Sequence, residues 1–308
     1  MPTAGHRLKQ LIRAPEILVL PGVFDGYSAR LVRRAGFAAA FVTGAGLSED
    51  RLGRSDVGIM GLAENLDASR AIAACTDLLL LGDADTGYGN AVNVCFAVRA
   101  FEQAGLAGIM LEDQVWPKRC GHMAGKELIS ADEMVQKIRA ACDARVDPDF
   151  VIKARTDAAG PLGLDEAVRR AVRYAEAGAD LVFADALLSA QDIEAFCRRV
   201  PAPVSVNMGF GIRQRGTTPL VSARELQAMG VAVVIFPRLL TAAAVRGMIN
   251  GLEALQESLR TGRVVERPEL AVSFEELNEL VGLGEIQQLE ARYLTPAQLD
   301  AKYGRDRG

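Results

Sequence analysis

Apolar residues along this chain fall into two alternating patterns. Short unbroken runs, such as ILVLPG at 17–22, LLLLGDAD at 78–85, FVIKARTDA at 150–158 and APVSVNM at 202–208, are one kind. Between them lie stretches such as DEMVQKIRAACDA and LDEAVRRAVRYAEAG, in which apolar positions recur every three or four residues. The first pattern suits strands buried on both faces, the second amphipathic helices. One joint then occurs four times: RRAGFAAAFV from Arg33, EQAGLAGIML from Glu102, AEAGADLVFA from Ala175 and QAMGVAVVIF from Gln227. Each reads as a helix end, a Gly that reverses the chain at positive φ, and a buried strand. Repeats of this kind are βα units. Together the two sets give eight strands, and eight parallel strands alternating with helices predict an α/β fold of the (β/α)8 barrel type. The rival is a doubly wound sheet, which usually carries a Gly-rich first βα turn. No such turn is present. The nearest candidate, GDADTGYGN, follows the third strand and carries two carboxylates that would repel a phosphate.

A chain of 308 residues, half of them hydrophobic, can fill one such barrel. The barrel is expected over 1–250. Residues 251–308 read as a helical extension, continuing TAAAVRGMINGLEALQESL into SFEELNELVGL. Eight helices close a barrel, so the later ones need another surface, that of a neighbouring subunit. Charge adds only exclusions. With 35 Lys plus Arg against 39 Asp plus Glu, there is no basic excess of the sort a nucleic-acid binder shows. No apolar run approaches the roughly 18 residues that span a bilayer, and no secretory signal is visible. The expectation is a soluble cytoplasmic protein with no nucleic-acid or membrane partner.

In a barrel of this type the chemistry sits at the C-terminal ends of the strands. The polar residues there can be read in order: Phe24-Asp25, Thr43-Gly44-Ala45-Gly46, Asp83 and Asp85, Glu112 and Asp113, Arg155 and Asp157, Asp185, Asn207, and Pro237-Arg238. Asp25 suits a helix N-cap. Asp83, Asp85 and Glu112 come from neighbouring strands, and residues two apart on a strand share a face. Three converging carboxylates need neutralisation, and all-oxygen ligation suits Mg²⁺, with Mn²⁺ as an alternative. Arg155, emerging from an apolar strand, needs a substrate carboxylate or the acidic cluster as its partner.

One loop carries further chemistry. Lys118-Arg119-Cys120-Gly121-His122 sets a thiol among cations, which favour the thiolate and attract an anionic substrate. The other four cysteines (Cys75, Cys95, Cys142 and Cys197) lie in helical patterns as small hydrophobes, and there is no CxxC. The segment from Trp116 to Lys126 holds two glycines and the chain's single Trp, and reads as a lid. A metal, an Arg clamp, backbone amides at Thr43-Gly44-Ala45 and a Lys/Cys/His loop suit a small anionic α-oxo or α-hydroxy acid.

The segments VFDGYSARL, FVTGAG, DADTGYGN, LEDQVWPKRCGHMAGKELI, KARTDA and SFEELNELVG together resemble the isocitrate lyase/phosphoenolpyruvate mutase superfamily. The branch most similar is that of 2-methylisocitrate lyase, 2,3-dimethylmalate lyase and carboxyphosphonoenolpyruvate-mutase-like proteins. The likeness runs from about residue 7 to 295. It implies a Mg²⁺-dependent barrel acting next to an α-oxo acid, usually a homotetramer with exchanged C-terminal helices. It also implies Asp85 as principal metal carboxylate, with Asp83 and Glu112 assisting through waters. Thr43, Gly44, Ala45 and Arg155 become substrate contacts, and Asp56 in GRSDVG helps hold the reacting centre. Cys120 becomes the general acid of a carbon–carbon lyase, with Lys118, Gly121 and His122 completing its loop. The alternatives are oxaloacetate decarboxylation, phosphonate P–C chemistry, or a catalytically silent homologue.

Two departures from the family pattern bear on the substrate. The sixth strand ends in Asp185 where the pattern has Glu. The seventh continues from Asn207 as NMGFGIRQRGTTP, lacking a Glu and gaining Arg213 and Arg215. Two added guanidiniums would favour a more strongly anionic substrate.

Overall fold

The computed structural model describes residues 2–121, 123, 125–209, 218–264 and 266–304. Eight parallel strands close into a barrel in sequence order. They are β1 (Leu18–Val23), β2 (Ala39–Val42), β3 (Leu79–Asp83), β4 (Gly108–Glu112), β5 (Val151–Thr156), β6 (Leu181–Ala184), β7 (Val204–Asn207) and β8 (Val233–Phe236). Closure is by β1 on β8, with Leu18 opposite Val233 and Leu20 opposite Ile235. The four repeated joints behave as their sequence requires: Gly36, Gly105, Gly178 and Gly230 have φ of 90°, 95°, 109° and 91°. A side chain there would be strained, which is why the same residue recurs.

Side chains alternate between two cores. Outward-facing residues such as Val42, Leu80, Ile109, Ile152, Val182 and Val206 pack beneath the surrounding helices. Inward-facing Leu20, Phe41, Leu81, Met110, Val151, Phe183 and Ile235 fill the barrel together with Leu8 and Ile12 of the helix Ala4–Ile12. That first helix closes the N-terminal end. Lys9 pins it there, donating to the Pro148 carbonyl at 3.0 Å and pairing with Asp180 at 3.0 Å. The opposite end is left for chemistry. Asp25 is indeed an N-cap, accepting from the Ser28 amide at 2.7 Å in a capping box.

The chain divides into two compact units, Met1–Val245 and Arg246–Gly308, the boundary falling inside the helix Leu239–Thr261. The second unit contains the further helices Phe274–Leu280, Leu283–Tyr293 and Pro296–Tyr303. Among the described residues, no helix is long and apolar enough to cross a membrane.

Candidate active site

At the C-terminal ends of the strands lies a cavity of about 40 Å³. Eleven of the residues singled out from the sequence line it: Thr43, Ala45, Asp56, Asp83, Cys120, Gly121, Arg155, Asp185, Asn207, Pro237 and Arg238. Phe41 and Met110 complete the wall. Ordinary ligand pockets are several hundred Å³, so this cavity is small, and Cys120 and Gly121 form part of its wall. Gly44, Asp85, Glu112 and Lys118 stand around this lining, in contact with it. His122, Arg213 and Arg215 lie outside the described residues.

The carboxylates converge by a different route from the one strand alternation suggested. Asp83 ends β3, but Asp85 lies beyond it, in the left-handed region at φ 48°. An Asp tolerates this conformation better than most residues, and the turn is held from several sides. The Asp85 amide donates to Asp83 Oδ1 at 3.1 Å, and the Asp85 carbonyl accepts from the Glu112 amide at 2.9 Å. Asn65 Nδ2 donates both to the Asp83 carbonyl and to the Tyr88 hydroxyl, each at 2.8 Å. Gly44 is required by close approach: a Cβ there would stand 2.9 Å from Asp83 Oδ2.

Lys118 is almost fully buried, and its ammonium joins Asp56 Oδ1 at 2.5 Å to Asp85 Oδ1 at 2.9 Å. Burial works against its charge, but Asp85, Glu112, Asp56 and Asp83 outweigh it and hold the lysine well above its ordinary pKa. Asp85 moves the opposite way from most paired carboxylates. Burial, reinforced by Asp83 and Asp56, pushes it up to about 7 despite Lys118. Apart from the ionic contact with Lys118, its buried Oδ1 has no hydrogen-bond partner. Burial likewise raises Glu112 well above the carboxylate range, although Arg155 Nε lies 3.3 Å away and Gln114 Nε2 donates to it at 3.0 Å.

These observations fit a divalent cation. Four carboxylates, of Asp56, Asp83, Asp85 and Glu112, surround one ammonium, and the donors are all oxygen. Among the described residues no three acids, His or Cys converge to hold an ion directly. An ion here would therefore take one carboxylate directly and complete its shell with water, as Mg²⁺ commonly does.

Arg155 is fixed in a fork. It donates from Nε and Nη2 to the two oxygens of Asp157, both at 2.8 Å, and from Nη2 to Asp185 Oδ2 at 3.1 Å. Burial opposes ionisation of Asp157, but Arg155 and Lys126 outweigh it and bring its pKa down to about 2. The acidic partner expected for Arg155 is thus present, and the guanidinium still faces the cavity. Gly121 sits so close to Asp185 that a Cβ would fall 1.7 Å from Oδ2. Cys120 is buried, and the cation touching it is Arg238, whose Nη2 donates to Sγ at 3.7 Å while Nη1 holds Glu49. The flanking Lys118 is engaged by Asp56 and Asp85 instead.

Several residues with a part in the site carried no signal of their own. Gln114 bonds Glu112 and also both the amide (3.0 Å) and the carbonyl (2.9 Å) of Arg119, tying the loop to β4. Lys126 reaches Gly121 and Asp157. Lys153, hidden in an apolar strand, lies fully buried between the rings of Phe41 and Phe183, 5.5 and 4.6 Å from their centroids, with no hydrogen-bond partner. Burial, aided by Arg155, lowers its pKa to about 7.

Residues 8–256 match the phosphoenolpyruvate phosphomutase family. The chain is 40% identical to 2,3-dimethylmalate lyase of Eubacterium barkeri over 295 residues, covering 96% of this chain and 99% of the relative. It is 45% identical over 237 residues to a probable 2-methylisocitrate lyase of Corynebacterium glutamicum, covering 77% and 76%. A crystal structure of 2,3-dimethylmalate lyase superposes with a TM-score of 0.87 at 33% identity, over 96% and 97% of the two chains. A phosphonopyruvate hydrolase in complex with oxalate and Mg²⁺ superposes with a TM-score of 0.81 at 31% identity, over 96% and 100%.

Proposed function

This chain belongs to the phosphoenolpyruvate mutase/isocitrate lyase superfamily, and we propose that it is a divalent-cation-dependent carbon–carbon lyase acting on an α-hydroxy di- or tricarboxylate. The observation that carries this reading is the meeting of a buried thiol, Cys120, with the Arg155 fork and the Asp83–Asp85–Glu112 cluster around one cavity. Relatives that share the chain's length are named as lyases of 2,3-dimethylmalate and 2-methylisocitrate.

In this reading Arg155, its Nε and Nη2 held by Asp157 and Asp185, turns its remaining Nη1 donors to one substrate carboxylate. Thr43 and the amides that follow it at the start of the helix Gly44–Leu52 receive negative charge. Asp85 would hold Mg²⁺ or Mn²⁺, with Asp83 and Glu112 steadying its water shell. The cation, when bound, supplies positive charge to the oxygen that becomes anionic. As the hydroxyl gives its proton to an acceptor in the carboxylate cluster, cleavage between the hydroxyl-bearing carbon and its neighbour turns the hydroxyl carbon into the carbonyl of pyruvate or glyoxylate. The other fragment leaves with the electron pair, and the Cys120 thiol gives it a proton. Asp56, fixed by Lys118, stands beside the reacting centre. His122 belongs to the same loop by sequence.

The row of Met248, Leu252, Leu255 and Leu259 along the helix Leu239–Thr261 is exposed. We assign it to contact with further copies of the chain in a homotetramer. Sedimentation at micromolar concentration tests this, and a monomer would refute it. For the activity, 2-methylisocitrate, 2,3-dimethylmalate, citramalate, oxaloacetate and phosphonopyruvate would be supplied with Mg²⁺ while pyruvate or glyoxylate is followed. Pyruvate or glyoxylate release from a hydroxy acid, lost on chelation, is the expected result. Carbon dioxide from oxaloacetate or phosphate from phosphonopyruvate as the sole product would overturn it in favour of decarboxylation or P–C chemistry, the latter consistent with the phosphonopyruvate hydrolase likeness.

A further inference from the structure

Lys126 ends the loop that carries Cys120, and its side chain is 6% exposed. Its ammonium has three acceptors. It donates to the Gly121 carbonyl at 2.8 Å and to Asp157 Oδ1 at 2.9 Å, and stands 3.6 Å from Asp185 Oδ2. An ammonium removed from water keeps its charge only where such partners compensate the lost hydration. These three do so, and each belongs to a different part of the site. Gly121 adjoins the thiol. Asp157 holds the Arg155 fork, and Asp185 holds the second Nη2 contact of the same guanidinium.

We infer that Lys126 is a positioning residue for the reaction, setting the Cys120 thiol and the Arg155 guanidinium on one common support. Charge balance alone does not account for the geometry. Arg155 and Lys126 together balance Asp157 and Asp185, which explains the two acid contacts of the ammonium. The bond that neutralisation leaves unexplained is the one to the Gly121 carbonyl, which carries no formal charge. That bond fixes the backbone one residue after the thiol, where the loop is also closest to the barrel: Gly121 abuts Asp185 and Arg155 so tightly that no Cβ would fit. Three tetrahedrally disposed N–H donors suit three acceptors at separate points, a task a planar guanidinium performs less well.

The inference rests on the reading of Cys120 and Arg155 as acid and clamp, so its test includes a readout that needs no turnover. Iodoacetamide would be applied to the full chain and alkylation followed peptide by peptide in wild type, Lys126→Met, Lys126→Gln and Lys126→Arg. Cys95 and Cys142, in the barrel's helices, serve as internal references for global loosening. In Lys126→Met we expect Cys120 alkylation to accelerate at least about tenfold while the reference thiols keep their rates. Lys126→Arg should return Cys120 to within about threefold of wild type. With the best substrate, Lys126→Met should lower kcat at least about tenfold and leave KM within about threefold, the mark of lost alignment rather than lost binding. If all thiols accelerate together in Lys126→Met, Lys126→Gln decides: selective exposure of Cys120 supports the inference, and uniform exposure overturns it. Unchanged Cys120 alkylation in Lys126→Met also overturns it, whatever activity the chain proves to have.

Discussion

Glu112 and Asp113 are neighbours in sequence, yet alternation along β4 sends them to opposite sides of the barrel wall, into two buried charge clusters of different character. Asp113 faces outward. It accepts from the Thr156 hydroxyl at 2.8 Å, the Asp157 amide at 2.9 Å, Arg170 Nη1 at 2.9 Å and the Tyr174 hydroxyl at 2.7 Å. Both of its oxygens are engaged, Oδ2 by three donors and Oδ1 by one, and it joins β4, β5 and the helix Leu164–Glu176 into one block. Glu112 faces inward, toward a cluster that is not closed. There the buried Oδ1 of Asp85, a residue at positive φ, meets the Lys118 ammonium at 2.9 Å and no other hydrogen-bond partner among the described residues. Both clusters suffer the same desolvation, and burial raises the pKa of Asp113 as well as those of Asp85 and Glu112. What separates scaffold from site is the number of neutral donors: Asp113 accepts from a hydroxyl, an amide and a phenol besides its cation and holds the fold, whereas Asp85 Oδ1 meets a single ammonium and leaves room for a ligand.

The sharpest way to break this comparison is to remove each acid in turn. Asp85→Ala should lower turnover on the order of a thousandfold or more, the scale on which a lost electrostatic contact to a developing oxyanion is felt. Its loss of stability should be smaller than that of Asp113→Ala, because Asp56 still holds Lys118, although Ala at positive φ and the lost ion pair both cost something. Exhaustive chelation should mimic the variant, with activity restored by Mg²⁺. Full activity in the variant, or after chelation, would show that the open cluster is not the working one. Asp113→Ala should do the reverse, lowering stability by about 3–5 kcal/mol, the usual cost of stripping one partner from a buried ion pair. Urea denaturation reads this directly. A loss below about 1 kcal/mol would mean that the outer cluster does not hold β4 and β5 to the helix.

Cys120→Ser tests the loop side of the open cluster. A hydroxyl is a far weaker acid than a thiol, so turnover should fall by about two orders of magnitude, within the range of a placed general acid. Stability should barely change, because the thiol's described polar contact is the long one to Arg238. If turnover stays near wild type, the proton comes from elsewhere and the lyase assignment weakens.

Much of the barrel was legible in the chain. The four apolar runs of strand length mark β1, β3, β5 and β7, and the four Gly joints mark β2, β4, β6 and β8, where the strands lie. The site was legible where chemistry clusters in sequence, as in the KRCGH loop and the strand-end acids, of which Cys120, Gly121, Asp83 and Asp185 line the cavity. It was less legible where conformation or distance decides. Asp85 reads like a strand residue facing the same way as Asp83, because nothing in DADTG announces positive φ at a residue other than Gly. Arg238 and Lys126 owe their roles to partners 118 and 31 residues away. Lys153 was invisible for another reason: in FVIKARTDA its neighbour Arg155 offers the more familiar chemistry, and the burial of a lone ammonium is a property of the closed barrel.

Lys153 also yields the mildest test of the comparison, since its buried ammonium has no hydrogen-bond partner among the described residues. Its pKa of about 7 in the folded chain lies below the ordinary lysine value of about 10.4 expected when unfolded. Between those values the unfolded chain binds more protons, so stability must rise with pH. The slope from this one group approaches about 1.4 kcal/mol per pH unit above pH 7 and vanishes below it, where both states are protonated. Lys153→Met keeps similar bulk and no charge, and should be more stable than wild type near pH 6. Its advantage should shrink as pH rises from 7 toward 10. Arg155, Asp83 and Asp185 act on Lys153 in the folded state and titrate on their own account, so the difference between variant and wild type is the quantity to follow. Urea titrations at pH 6, 8 and 9.5 suffice. A difference that does not change with pH would mean that Lys153 shares its proton with a partner, and that the inner face of β5 is as fully paired as the outer.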